Sequence, residues 1–516
     1  MLATVHSCAL VGMQGHPVRV EVDVANGLPC VEIVGLPDVS VREARDRVRA
    51  AIRNSGLEFP LKRITINLSP GDLKKEGTGF DLPIALGILA ATGQLPESGL
   101  PPHIVVGELS LDGSIRPIPG ILPMAASLRS TRDTSPDCCF MVPEANATEA
   151  ALLDGINVVA PASLQEAVEH INGSRKLQSV QLDRQSLFGG SGPPSGGNDF
   201  SEVKGQEAAR RAMEVAAAGG HNILLIGPPG SGKTMLARRL PSILPEMTFA
   251  EKISLTQIYS VAGLLSRKNP LITNRPFRSP HHSASAASII GGGRVPRPGE
   301  VSLATHGALF LDEMPEYHRD VLESLRQPLE DNVVTVSRVS AAITYPADFI
   351  FIGSMNPCPC GYFGDPLKEC TCTPFQIQRY LHRISGPLLD RIDIHIEVPR
   401  LKYEEIESRS PGETSESIRR RVTAARDLQR QRFGKEPAAA NARMMPVEIR
   451  MFCPLSREAQ SLMRSAYREL RLSARAHDRI IKVARSIADL AGSETIEAAH
   501  IAEAIQYRTL DRRFWG

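Results

Sequence analysis

The chain has 516 residues, of which 42% are hydrophobic and 22% charged, a composition typical of a folded protein with two or three domains. No stretch approaches the ~18 consecutive apolar residues of a membrane span, and the N-terminus lacks the basic segment of a secretory signal, so we expect a cytoplasmic protein. The net charge is +2, but the last 116 residues carry 22 Lys and Arg against 16 Asp and Glu. A polyanionic partner and a solvated helical surface explain that excess equally well.

The N-terminal 180 residues alternate strand-like and helical segments, which predicts an α/β domain. Strand patterns cover 18–24, 63–68 and 104–111, and a helical pattern covers 41–55. The residues that follow, 186–200, are rich in Gly, Ser and Pro and have no apolar period. We therefore interpret 1–180 as one domain and 181–200 as a flexible linker.

Four short apolar runs recur downstream of this linker, with helical or loop segments between them. They cover 222–227, 308–313, 349–354 and 393–398. Such spacing predicts the buried strands of a parallel sheet, and hence an α/β core over 201–400. From 401 to 516 only helical periodicity remains, which predicts a helical lid domain with one helix over 473–490 and Ser473 as its N-cap.

The first apolar run of the core leads into a G-x-x-x-x-G-K-[ST] loop, formed by Gly227, Pro228, Pro229, Gly230, Ser231, Gly232, Lys233 and Thr234. A helical pattern follows it, which is the context that a phosphate-binding loop requires. Glycines let backbone N–H groups surround the phosphates of ATP. We expect Lys233 to reach the β and γ phosphates and the Thr234 hydroxyl to ligate Mg²⁺.

The second apolar run ends in two acidic residues, Asp312 and Glu313, about eighty residues after the loop. A buried strand with a terminal acidic pair is what a Walker B element requires. We expect Asp312 to hold the Mg²⁺ shell and Glu313 to act as general base for the attacking water.

Two C-x-C pairs follow the third apolar run: Cys358 with Cys360, and Cys370 with Cys372. Four thiolates at this spacing can surround one tetrahedral Zn²⁺. Free thiols are the alternative, and we favour structural zinc.

Longer segments reveal a family resemblance. The VKGQ segment at 203–206, the GPPGSGKT loop, FLDE and FIGSMNP resemble the AAA+ superfamily, and segments 221–245, 277–313 and 354–361 resemble the magnesium-chelatase-like ComM/YifB family. The resemblance implies an AAA+ core with a helical lid, ATP and Mg²⁺ as cofactors, and a homo-oligomeric, hexameric ring. It also implies a helicase or branch-migration motor on single-stranded or branched DNA, acting in recombination during natural transformation. A protein remodeller of the magnesium-chelatase type is the alternative.

The same resemblance assigns roles by position. Gly205 and Gln206 correspond to nucleotide-binding residues before the first core helix, and Asn356 to sensor 1, which orients the lytic water. Arg391 resembles the arginine finger that a neighbouring subunit supplies, and Arg475 resembles sensor 2 on the lid. For Arg475 a structural ion pair stays an open alternative.

Two insertions resemble pore elements of ring ATPases. Residues 289–300 form a Gly- and Pro-rich loop with Arg294 and Arg297, and residues 333–344 resemble a β-hairpin around Arg338. Such arginines suit electrostatic contacts with a phosphate backbone, although ion pairs at subunit interfaces are an equal alternative.

The N-terminal domain resembles the proteolytic domain of Lon over 64–125. Lon-type peptidases need a serine and a lysine, and this chain has Gly79 and Leu122 at those positions. We therefore expect a non-catalytic domain, and an ATP-fuelled protease is excluded.

Overall fold

The computed structural model describes residues 1–96, 103–130, 138–182, 199–266, 268–293, 296–338, 341–401, 412–434, 440–470 and 472–515. The chain divides into two compact units, Met1–Gly190 with Thr256–Ile272, and Ser191–Leu255 with Thr273–Gly516. Nothing in the sequence pattern indicates that Thr256–Ile272 belongs to the first unit. Most of the predicted linker, residues 183–198, lies outside the described residues. Among the described helices, none has the length and apolarity to cross a membrane.

A seven-stranded mixed sheet forms the centre of the first unit, with strand order β3-β4-β2-β1-β5-β8-β9, beside a two-stranded ribbon of β6 and β7. The strands are β1 Leu2–Val11, β2 Gln14–Ala25, β3 Cys30–Val34, β4 Arg63–Ser69, β5 His103–Val105, β6 Glu108–Leu109, β7 Ile115–Arg116, β8 Cys139–Met141 and β9 Asn157–Val159. Buried valines alternate with more exposed residues along β2, as predicted. The run 104–111, predicted as one strand, is divided between β5 and β6.

Five α-helices accompany this sheet within the described residues: Val39–Asn54, Asp81–Ala91, Ile121–Ser130, Ala147–Ala150 and Leu164–Ile171. The helix Asp81–Ala91 is buried on every side, which its apolar composition allows. Leu122, at the position where a peptidase would need lysine, is fully buried in its helix.

A five-stranded parallel sheet forms the centre of the second unit, with order β11-β14-β17-β10-β18. The strands are β10 Ile223–Ile226, β11 Phe277–Arg278, β14 Ala308–Leu311, β17 Ile350–Met355 and β18 Ile394–Glu397. The four predicted strands are confirmed, and β11 was not predicted. Because the strands are parallel, the loops after β10, β14 and β17 meet at one edge of the sheet.

Two antiparallel hairpins extend from this sheet, in the two segments that resemble pore elements. The first pairs β12 Gly291–Gly292 with β13 Arg297–Pro298, and the second pairs β15 Val333–Arg338 with β16 Ala341–Pro346. The Tyr345 hydroxyl donates to the Pro296 carbonyl at 2.9 Å and links the two hairpins.

The described α-helices of the second unit lie before, between and after these strands. Their bounds are Glu207–Gly219, Lys233–Ile243, Phe249–Ala262 (which continues into the segment of the first unit), Ala286–Ile290, Glu300–Leu303, Arg319–Ser324, Arg326–Asp331, Pro374–Leu381, Gly386–Leu389, Ser415–Phe433, Pro446–Phe452, Arg457–Glu469, Ala474–Leu490, Ala498–Gln506 and Thr509–Phe514. The Ser473 side chain accepts from the Ala476 N–H and caps its helix as predicted. One apolar core joins the sheet to the C-terminal helices.

Candidate nucleotide-binding site

The loop between β10 and the helix Lys233–Ile243 is shaped by its glycines. A Cβ on Gly227 would lie 2.2 Å from the Val398 carbonyl oxygen, so only glycine fits there. Gly230 and Gly232 have φ values of 77° and 90°, in the left-handed region that glycine adopts without strain. The loop thus curls before a helix whose first N–H groups lack partners within the helix, an arrangement suited to phosphate.

Lys233 lies inside this loop and is buried. Its Nζ donates to the carbonyls of Gly227 at 2.7 Å and Pro228 at 2.9 Å, and to Asn356 Oδ1 at 3.2 Å. Burial lowers the pKa of Lys233 to about 8, although the Asp312 and Glu313 carboxylates oppose the shift. The two carboxylates therefore compensate the buried ammonium group only in part, and a bound phosphate would supply further negative charge.

Oxygen ligands for a cation converge beside the loop. The Thr234 hydroxyl donates to Asp312 Oδ2 at 2.8 Å, and Asp312 Oδ1 accepts from the Ser354 hydroxyl and, at 3.1 Å, from the Glu313 N–H. Glu313 has a φ of 50° and an exposed side chain. Hydroxyl and carboxylate oxygens are the ligands that Mg²⁺ prefers, so Thr234 and Asp312 fit this ion. Ser354 stands in the FIGSMNP segment, but no sequence pattern predicts a role for it.

Gln206, the residue before the helix Glu207–Gly219, contacts the phosphate loop through its side chain. Gly205 and Gln206 both have positive φ, of 58° and 52°, which turns the Gln206 side chain so that its Nε2 donates to the Ser231 carbonyl. Gln206 Oε1 and Ser231 Oγ are buried, and neither has a hydrogen-bond partner among the described residues. Buried polar atoms are rarely left unpaired, so these two have hydrogen-bonding capacity for a polar ligand such as ATP.

The residues predicted as sensor 1 (Asn356) and as the arginine finger (Arg391) lie at different distances from the phosphate loop. Asn356 contacts Lys233, whereas Arg391 precedes β18 and its carbonyl accepts from the Asn222 side chain at 3.0 Å. Asn222 and Gly227 stand at opposite ends of β10, roughly 16 Å apart at ~3.3 Å per residue. The Arg391 guanidinium turns to Glu330 and, at 2.6 Å, to the Pro387 carbonyl.

Arg475 is the second residue of its helix and is exposed. Within the described part of the chain it makes no hydrogen bond or ion pair with the loop. Its expected role as sensor 2 stays a prediction.

The predicted DNA-contacting arginines are only partly described. Arg297 lies in β13 and is exposed, and Arg338 ends β15. Arg294 lies outside the described residues. The base of the first hairpin is held by Arg278, whose guanidinium donates to both oxygens of Glu300 at 2.6 and 2.7 Å.

The four cysteines of the two C-x-C pairs come together after β17. Their sulfurs lie within 4.8 Å of one another, and all four thiols are free. Cys358 Sγ lies 3.3 Å from Cys360 Sγ and 3.6 Å from Cys370 Sγ. These separations are too long for a disulfide and compatible with a structural metal.

A second buried polar cluster lies at the other end of β10. The His221 ring lies 3.0 Å from Asp393 Oδ2 and 2.8 Å from Ser486 Oγ, and Arg479 lies 3.6 Å from Asp393. This Ser-His-Asp arrangement resembles that of a hydrolase, but the His221 and Ser486 side chains are fully buried. It therefore joins the sheet to the helix Ala474–Leu490, and sequence reasoning missed it because the three residues are far apart in the chain.

The parallel sheet, the phosphate loop and the acidic strand end define the class as a magnesium-chelatase-like AAA+ protein. Family models agree: "Magnesium chelatase, subunit ChlI" matches 199–406, "Subunit ChlI of Mg-chelatase" matches 20–146, and "Magnesium chelatase, subunit ChlI C-terminal" matches 412–508. The magnesium-chelatase 38 kDa subunit of Rhodobacter capsulatus is 27% identical over 31% of this chain and 50% of its own length.

Relatives that match over nearly their full length narrow the family to which this chain is assigned. The competence protein ComM of Haemophilus influenzae is 44% identical, with 99% of this chain and 98% of that protein covered. The YifB protein of Escherichia coli is 43% identical, with the same coverage. The chain belongs to the ComM/YifB family.

Proposed function

We propose that this protein is an ATP-driven motor that moves DNA strands, working as a hexameric ring. The observation that carries ATP hydrolysis is the convergence of Lys233, Thr234, Asp312 and Asn356 at one edge of a parallel sheet. The name of the Haemophilus influenzae relative, a competence protein, supports a role in handling DNA during recombination.

Each residue of the site has a chemical task in this proposal. The phosphate loop and Lys233 bind the β and γ phosphates, and Thr234 with Asp312 would hold Mg²⁺, which neutralises charge on the phosphates. Glu313 would take the proton of the attacking water, and Asn356 would orient that water. Ser354 fixes the Asp312 carboxylate by donating to the oxygen that does not face Thr234.

The position of Arg391 supports a ring. It lies at the opposite edge of the sheet from the phosphate loop of its own chain, so its guanidinium serves as a finger only for the loop of a neighbouring subunit. In the isolated chain, Glu330 holds that guanidinium. Mixing Arg391→Ala subunits with Lys233→Ala subunits tests this arrangement, because interfaces that combine an intact loop with an intact finger restore part of the ATPase activity. Failure of every mixture to exceed the activity of either variant alone contradicts the ring.

The two linked hairpins are the elements that we assign to DNA. Arg294, Arg297 and Arg338 would contact phosphates without reading bases, so affinity should fall steeply with salt. The test is strand displacement on forked and four-way DNA with ATP. Lys233→Ala should abolish it, and Arg294→Ala with Arg297→Ala should lower it while ATPase activity without DNA persists. Full unwinding by the double variant would contradict contact through the first hairpin.

A protein remodeller is the second candidate, because three family models named for a magnesium chelatase subunit match most of the chain. It predicts ATPase stimulation by a protein partner and none by DNA. Measuring the ATPase rate with single-stranded, duplex and four-way DNA at several salt concentrations separates the two.

The cofactors that we propose are ATP, Mg²⁺ and a structural Zn²⁺ on Cys358, Cys360, Cys370 and Cys372. The mutual approach of the four sulfurs supports zinc. Metal analysis of protein purified without chelator is the direct test.

A further inference from the structure

The cysteine loop, residues 358–372, begins two residues after Asn356 and ends at Cys372. The next residue, Thr373, caps the helix Pro374–Leu381 by accepting from the Gln376 N–H, and the Gln376 side chain accepts from the Thr373 N–H. The cysteine loop is thus fixed between a strand and a capped helix. Its first cysteine, Cys358, is fully buried.

The cysteine loop lies against the phosphate loop at Gly361. This residue has a φ of 86°, and a Cβ there would lie 2.5 Å from Pro229 Cδ and 2.8 Å from Pro229 Cγ. The Gly361 N–H donates to the Cys358 carbonyl at 3.0 Å and closes a turn that contains the first two cysteines. The contact between Gly361 and Pro229 is therefore part of this cysteine turn. The position of Pro229 is therefore tied to the conformation of the cysteine turn.

The four sulfurs are arranged as metal ligands. Zn–S bonds of about 2.3 Å in a tetrahedron place sulfurs about 3.8 Å apart. Cys360 Sγ lies 3.6 Å from Cys370 Sγ, and Cys358 Sγ lies 3.3 Å from Cys360 Sγ and 3.6 Å from Cys370 Sγ. Backbone N–H groups also point at sulfur, from Phe363 to Cys358 Sγ at 3.3 Å and from Cys360 to Cys372 Sγ at 3.4 Å. Such donors stabilise thiolate ligands and orient them.

We propose that zinc on the four cysteines holds the cysteine loop against Pro229, and thereby sets the affinity of the phosphate loop for nucleotide. This inference rests on the proposed zinc occupancy. Without the metal, thiols that are drawn together only by Zn²⁺ separate, and the cysteine turn loses its fixed shape. Nucleotide binding must then order that turn as well, which lowers affinity.

The first experiment compares the wild-type chain with the variant carrying Cys370→Ser and Cys372→Ser. Zinc is measured by mass spectrometry, and the Kd for a fluorescent ATP analogue with Mg²⁺ is measured by titration. We expect one zinc per wild-type chain, none in the variant, and a Kd that is roughly tenfold higher in the variant. Removing zinc from the wild-type chain with a chelator should raise the Kd equally, and adding Zn²⁺ back should reverse this.

The second experiment separates the metal from the contact. Gly361→Ala keeps all four thiols but inserts a methyl group toward Pro229, so it should retain zinc and still weaken nucleotide binding. Gly434→Ala is the matched control, because Gly434 has a φ of 77° with open space around its Cβ position and lies after a lid helix. It should leave zinc content and Kd unchanged.

The outcomes distinguish the proposed zinc occupancy from the proposed coupling between zinc and nucleotide affinity. A wild-type chain without zinc, with disulfides among the four cysteines, overturns both. A zinc-loaded chain whose Kd does not change on zinc removal overturns the coupling alone, and so does Gly361→Ala with zinc and Kd both at wild-type values.

Discussion

The two ends of β10 carry two buried polar clusters that differ in how completely they are paired. At the carboxyl end, burial lowers the pKa of Lys233 more than the Asp312 and Glu313 carboxylates raise it, and Gln206 Oε1 and Ser231 Oγ have no partner in the described structure. At the amino end, both ring nitrogens of His221 have partners. Buried groups that lack partners indicate a ligand, whereas a satisfied cluster stabilises the fold. The difference separates a binding site from a structural one even though the second contains hydrolase residue types.

The structural cluster contains a buried carboxylate, Asp393, whose charged form is strongly stabilised. Burial alone would raise the pKa of Asp393, but the His221 hydrogen bond and the charges of Arg479 and Lys482 lower it to about 2. A lowered carboxyl pKa contributes stability above the unfolded value of about 3.9 and loses it as the pH falls toward 2. At neutral pH the full contribution of Asp393 is therefore present.

Removing Asp393 gives the largest effect that the comparison predicts. Asp393→Ala leaves the half-buried Arg479 and Lys482 without their carboxylate, and should lower the free energy of unfolding of the second unit by about 3–5 kcal/mol. Urea unfolding measures this, with the exposed Asp427→Ala as control, which should cost less than about 1 kcal/mol because its ion pair with Arg430 is solvated. If Asp393→Ala abolished ATPase activity at unchanged stability, the amino-end cluster would have to be reassigned to the reaction.

Removing Lys233 should show the opposite pattern. Lys233→Ala deletes an ammonium whose burial outweighs the attraction of Asp312 and Glu313, so the melting temperature stays the same or rises, while ATP turnover falls roughly 10²–10³-fold. Lys482→Ala is the control at the other cluster, since Lys482 is half-buried and donates to the Ala442 carbonyl at 3.1 Å. It should lose stability and keep its ATPase activity. A marked loss of stability in Lys233→Ala would contradict the distinction between a binding cluster at the carboxyl end of β10 and a stabilising cluster at its amino end.

The position of each element along the chain explains what the sequence could predict. Buried strands and the glycine loop are local patterns, so β10, β14, β17 and β18 and the Lys233 loop could be found from single segments. The His221 cluster and the membership of Thr256–Ile272 in the first unit depend on contacts between distant segments, which no local pattern records. Ser354 stands inside the FIGSMNP segment, yet only the fold shows that its hydroxyl donates to Asp312.

Ser354 offers a smaller test at the carboxyl end. Ser354→Ala removes the donor to Asp312 Oδ1, and loss of such a supporting hydrogen bond typically weakens metal affinity roughly 10–100-fold. We expect a higher Mg²⁺ concentration for half-maximal ATPase activity, and a normal rate when Mg²⁺ is saturating. Ser486→Ala, which removes a buried hydroxyl from the other cluster, should leave the Mg²⁺ dependence unchanged. Equal Mg²⁺ dependence in Ser354→Ala and wild type would argue against Asp312 as a Mg²⁺ residue.

The smallest predicted effect is a pH dependence that belongs to the carboxyl end alone. Because burial lowers the pKa of Lys233 to about 8 from 10.5, the free protein loses this positive charge above pH 8, while nucleotide phosphates are already fully ionised there. ATP affinity should therefore fall roughly fivefold between pH 8 and pH 9, because binding must restore the proton. The stability of the free protein changes in the other direction, since the cost of burying the ammonium is full below pH 8 and declines as the pH rises from about 8 to 10.5. Lys233→Arg separates the causes: a guanidinium stays charged to about pH 12, so whatever affinity this variant keeps should be constant from pH 8 to 9. An equal decline in both proteins would mean that a group other than Lys233 titrates.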